Sequence, residues 1–109
     1  MKRFALTALA VILVGGLAGC AGSRAFQRGD SYAKKGEWDL AVKEYREALK
    51  SNPQDIEYRS VLLRAEETAA NQHYKRARNY LKERKLDQAI VELQQAIYLN
   101  PTNAAIQGA

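Results

Sequence analysis

Few residues in this chain have side chains suited to chemistry. Its 109 residues include one cysteine, Cys20, one histidine, His73, and four serines, Ser23, Ser31, Ser51 and Ser60. None of the serines stands in the Gly-x-Ser-x-Gly setting that places a nucleophile on a sharp turn. A lone histidine assembles no His-rich metal set, so His73 reads as a packing or surface residue of a helix. Glu66-Glu67, or Glu44 with Glu47, would supply the carboxylates of an acid–base pair. Lys and Arg three or four residues away make them solvated, ion-paired helix faces instead. No glycine-rich loop is present to cradle phosphate. Composition therefore points away from an enzyme, with no cofactor, metal or small-molecule substrate expected. The densest charge is the run Lys75, Arg76, Arg78, Lys82, Arg84 and Lys85. It suits a helix end set against the macrodipole, or a patch for anionic headgroups or an acidic partner.

Cys20 closes a distinct leading segment. Lys2 and Arg3 precede an apolar run from Phe4 to Val14, then Gly15, Gly16 and Leu17-Ala18-Gly19-Cys20. The layout is that of a secretory signal, too short for a membrane span of about 20 apolar residues. The Leu-Ala-Gly-Cys ending resembles the bacterial lipobox. That resemblance implies cleavage before Cys20, a diacylglycerol on its thiol and an acylated new amine. A lone thiol has no disulfide partner within the chain, which suits a covalent lipid better than redox chemistry. Several acyl chains anchor stably where one binds marginally. Ala21, a non-Asp residue after the cysteine, implies by the same resemblance the outer membrane, facing the periplasm. Without Lys2 and Arg3 the formal charge falls from +5 to +3, 15 basic residues against 12 acidic. Such mild, interspersed charge on an exported chain argues against a nucleic-acid partner.

The elements that must position these residues come from an internal repeat. Gly29 to Pro53 returns 48 residues later as Ala77 to Pro101, pairing Tyr32/Tyr80, Asp39/Asp87, Ala41/Ala89, Val42/Ile90, Glu44/Glu92, Tyr45/Leu93, Ala48/Ala96 and Asn52/Asn100. Units that cannot bury their own apolar faces stack on neighbours. Four helices are expected. With Ser23 as N-cap the first runs from about Arg24 to Lys35 and stops at Gly36, which supplies a left-handed conformation. A second spans about Trp38 to Lys50, its stripe Trp38, Ala41, Val42, Tyr45, Ala48 and Leu49, ended by Asn52-Pro53. Asp55 caps a long third helix to Arg84, roughly 45 Å at 1.5 Å per residue, unless it breaks at Ala70-Asn71. Ile56, Leu63, Ala70, Tyr74, Ala77 and Leu81 share one of its faces, widened by Tyr58, Leu62, Ala65, Ala69 and Tyr80. Leu86 to Leu99 repeats the second helix, with Ala89, Ile90, Leu93, Ala96 and Ile97 as its stripe.

The register Gly29-x2-Tyr32, Ala41-x3-Tyr45, Pro53, then Ala77-x2-Tyr80, Ala89-x3-Leu93, Pro101, resembles the tetratricopeptide repeat. The family's leading Trp is replaced by Ala25 and His73, and its Leu before the small residue by Arg28 and Arg76. A period of 34 residues is usual for the family, so 48 adds 14, about four helical turns. The fold expected is all-α: two tetratricopeptide-like hairpins joined by one long shared helix, after a cleaved signal peptide. Its segments are the signal at 1–19, the lipidated cysteine and tether at 20–23, and hairpins at 24–53 and 70–101. Residues 54–69 connect the hairpins, and 102–109 begin a further helix, either frayed or continuing into a longer protein.

The resemblance implies a protein partner, held on the concave face of the inner helices. Its positions there are Asp30 and Lys34 in the first hairpin and Arg78 and Lys82 in the second, with Phe26 and Tyr74 three residues before the small one. Tyr32, Tyr45 and Tyr80 fall at family core positions. The implied role is a membrane-anchored interaction module that scaffolds or recruits an envelope protein. A narrower expectation is the front of a secretin, or a pilotin-like helper, in outer-membrane secretion or type IV pilus machinery. Another is the docking arm of an enzyme encoded beyond Ala109, and a third a structural spacer.

Overall fold

The computed structural model describes residues 20–101. The signal segment and the helix expected after Pro101 lie outside the described residues. Four helices follow one another, and among the described residues there is no strand: α1, residues 20–34; α2, Trp38–Ser51; α3, Ile56–Lys82; and α4, Leu86–Leu99. The fold is all-α and tetratricopeptide-like. The chain divides into two compact units, one ending at Val61 and the other beginning at Leu62, so the division falls inside α3.

In the first unit, α1 and α2 form an antiparallel hairpin around a three-residue turn. Gly36 takes φ +75°, and the Glu37 N–H donates to the Tyr32 carbonyl at 3.0 Å. Ala41 and Ala48 are fully buried on α2, with Val42 and Tyr45 beside them. Alanine at these positions brings helix backbones close, and larger side chains between them fill the space. Gly29 of α1 serves the same end, because a Cβ there would lie 2.6 Å from the Tyr45 ring. The Phe26 ring stacks on Tyr58 at 4.7 Å and tilts against Tyr45 at 5.4 Å. Asp55 caps α3 as expected, its Oδ1 accepting the Tyr58 N–H at 3.0 Å.

One boundary differs from expectation. Residues 20–23 are already helical, so Ser23 lies inside α1 rather than at its N-cap, and the expected tether is part of the helix. Gly22 is buried there against Asn52 and Ser51, a packing that outweighs the serine's capping preference.

The second unit repeats the plan in its backbone. Lys85 N–H donates to the Tyr80 carbonyl at 2.8 Å, as Glu37 does to Tyr32. The N–H of Asn100 closes α4 on Ala96 as Asn52 closes α2 on Ala48. At the place of Gly36 stands Arg84, with φ +60°. α3 runs unbroken through Ala70-Asn71. Its buried residues are Leu62, Ala65, Ala69, Ala70, His73 and Ala77. Of the expected face, Ala70 and Ala77 are buried together with the widening residues Leu62, Ala65 and Ala69, whereas Ile56, Leu63 and Leu81 are exposed. On α4, Ala89 and Ala96 are buried as expected, whereas Ile90 and Ile97 are exposed.

Candidate functional site

The residues expected to bind a partner separate into two kinds. In the first unit, Phe26 and Asp30 are taken up by internal contacts. Phe26 packs between Tyr45 and Tyr58, and Asp30 accepts a hydrogen bond from the Tyr45 hydroxyl at 2.6 Å. Burial, and then the Asp30 carboxylate, push the Tyr45 phenol well above its ordinary value, so it stays a donor. Lys34 is exposed. In the second unit, Tyr74 is half-buried, and the exposed Arg78 guanidinium lies 5.9 Å from its ring centroid. Lys82, at the end of α3, is exposed as well. Cys20 is exposed on α1.

Reading the sequence missed a polar cluster in the second unit. His73 is 7% exposed, and its Nδ1 lies 2.5 Å from Glu92 Oε2. Arg76 Nη1 approaches the same carboxylate oxygen at 4.0 Å. Glu92, like its counterpart Glu44, is a half-buried acceptor between helices. In the first unit Arg28 Nε meets Glu44 Oε2 at 2.9 Å, with Arg28 mostly in water. The signal lay in the repeat itself, which keeps Arg28/Arg76 and Glu44/Glu92 together 48 residues apart.

Tyr80, Asp87, Gln88, Val91 and Glu92 line a shallow cleft of about 250 Å³ between the end of α3 and the start of α4. It offers one aromatic wall, one apolar wall and two carboxylates. None of the expected binding residues lines it. Among the described residues no three His, Cys, Asp or Glu side chains gather as a metal site, and no described helix is long and apolar enough to cross a membrane. The described residues present helix faces and this shallow cleft. They suit the recognition of another macromolecule.

Comparison with known families matches both units. Residues 29–62 match the family described as TPR repeat, and residues 73–103 that described as Tetratricopeptide repeat. Together the two matches span more than half of the chain. No curated protein matches it.

Proposed function

Because the chain belongs to the tetratricopeptide-repeat family, we propose that it is a protein-binding module held on a membrane by a lipid on Cys20. The repeat fold supports the first part, since such hairpins act as protein-interaction surfaces. The second part rests on Cys20, which ends the Leu17-Ala18-Gly19-Cys20 sequence and is the chain's only cysteine. On this proposal the module faces the periplasm from the outer membrane, where it recruits or scaffolds another envelope protein. Its narrower assignment is to the assembly of secretion or pilus machinery, by the resemblance of a lipobox followed at once by two hairpins.

Cys20→Ser tests the anchor in the full chain. Mass spectrometry of the wild type is expected to show an acylated N-terminal cysteine, and fractionation to place the protein in the membrane pellet. In the variant the acyl mass disappears and the protein leaves the pellet or stays an uncleaved precursor. Unmodified wild-type Cys20, or a variant that is cleaved and still pellets as the wild type does, defeats the lipoprotein assignment.

A further inference from the structure

The start of α1 leaves almost no slack between Cys20 and the packed body of the first unit. Cys20 is exposed and already helical, and two residues on Gly22 is buried. A Cβ at Gly22 would collide with the Asn52 side-chain amide and lie 3.4 Å from the Ser51 Cβ. Two residues span at most about 7 Å when fully extended, so unwinding the first turn would free Cys20 very little. The order of contacts then identifies its surroundings. Gly22 meets Asn52 and Phe26 meets Tyr58, so the junction of α2 with α3 lies at the Cys20 end of the unit. Ile56 precedes Tyr58 by two residues as Arg24 precedes Phe26, which sets both about 6 Å from Cys20 along the axis.

This end differs from the side of α1. Ile56 is 83% exposed, more than any other large apolar residue described. Cations stand round it. Arg24 is exposed one turn from Cys20, Lys50 is exposed in the last turn of α2, and the exposed Arg59 donates from Nη2 to the Pro53 carbonyl at 3.0 Å. Of the acids there, Asp55 is engaged as the cap of α3 and Glu57 is exposed. Along the side of α1 that bears Cys20, the residues at helical spacing are Arg24, Gln27, Ser31 and Lys34, all exposed and none apolar.

We propose that the first unit stands on the bilayer by this end, with Ile56 in the interface and Arg24, Lys50 and Arg59 at the level of the lipid phosphates. The proposal rests on the lipid anchor at Cys20 above, and adds the surface that meets the lipid and the orientation it imposes. Acyl chains on Cys20 hold it at the edge of the hydrocarbon, beneath a headgroup layer about 5–8 Å deep. Groups held within a turn of Cys20 lie in that layer. An exposed isoleucine there leaves water, while basic side chains lay their stems in the layer and their charges at the phosphates. Lying on the side of α1 would bring only polar residues to the lipid, so contact is end-on. The far end of α1 stands about 21 Å away at 1.5 Å per residue, which leaves Lys34 open to a partner on the aqueous side.

The test uses the full chain with its acyl chains, in vesicles of phosphatidylethanolamine with phosphatidylglycerol as the minor lipid. Acylation blocks the Cys20 thiol, so a cysteine introduced singly by Arg24→Cys, Lys50→Cys, Ile56→Cys, Ser31→Cys or Lys34→Cys takes an environment-sensitive dye at that position alone. All five positions are exposed, and each labelled chain is expected to melt as the wild type does. Lipids spin-labelled near the headgroup are expected to quench most of the emission from positions 24, 50 and 56, and to leave 31 and 34 unquenched. Quenching that runs along α1 from 24 through 31 to 34 means that the unit lies flat, and overturns the proposal. An acylated chain unquenched at position 56 also overturns it and leaves the lipid anchor standing. A Cys20 that mass spectrometry of the same preparation finds unacylated removes both.

Discussion

The two hairpins share a backbone plan and fill it with different chemistry. In the first, Gly29 makes room for the ring of Tyr45, whose hydroxyl reaches Asp30. At the same places the second has Ala77, Leu93 and Arg78, so the aromatic, the space for it and its carboxylate have all gone together. The second hairpin instead buries His73, where the first has Ala25, and sets it against Glu92. A methyl added on one helix is balanced by a smaller side chain on the other. Polar contacts behave alike: the phenol–carboxylate bond and the imidazole–carboxylate bond each link the two helices of a hairpin, at different heights. The repeat thus keeps its small contact residues and an inter-helix carboxylate, Glu44 or Glu92, while the large side chains between them change.

That comparison is most directly broken at Gly29. Gly29→Ala drives a methyl into the Tyr45 ring and is expected to cost about 1–3 kcal/mol of unfolding free energy in urea. Adding Tyr45→Leu recreates the Ala77–Leu93 pair and recovers most of the loss. Additive effects in the double-mutant cycle would mean that these positions do not compensate each other.

Glu92→Ala removes the carboxylate from a buried imidazole and is expected to cost about 1–3 kcal/mol. Its counterpart Glu44→Ala frees Arg28 into water and should cost less than about 1 kcal/mol. Equal losses in paired thermal melts would show that the two carboxylates do the same job. The smallest effect is expected at the turn. Arg84→Gly relieves a left-handed residue but loosens the unfolded chain, for a net gain below about 1 kcal/mol. A lower melting temperature in the variant would show that the Arg84 side chain stabilises the turn.

The helix order was legible in the sequence because its punctuation is strong. Gly36 and Asn52-Pro53 stop the chain where helices end, and the 48-residue repeat transfers the bounds of α2 onto Leu86–Leu99. Periodicity identified Ala41 and Ala89 as contacts, since small residues at repeated positions have little purpose on a surface. It misjudged Ile90 and Ile97, because an apolar stripe reveals which side of a helix is oily and not whether anything covers it. Phe26 and Asp30 were legible as neighbours on α1, but their engagement with Tyr45 and Tyr58 depends on residues 15 to 32 positions away. His73 and Glu92, 19 apart, were hidden for the same reason. Ser23 misled because a capping side chain is a local preference, whereas burial of Gly22 against Asn52 is tertiary.

The turn at Arg84 has a consequence for what holds these bends in place. Gly36 and Arg84 occupy mirror-handed backbone positions, and both turns are closed by the same amide-to-carbonyl ring, Glu37 to Tyr32 and Lys85 to Tyr80. Glycine there eases a path that the surrounding helices already enforce. The second turn closes in the same way with arginine in place of glycine, so the bend is held by its amide-to-carbonyl bond and the helices on either side rather than by the residue at its left-handed position.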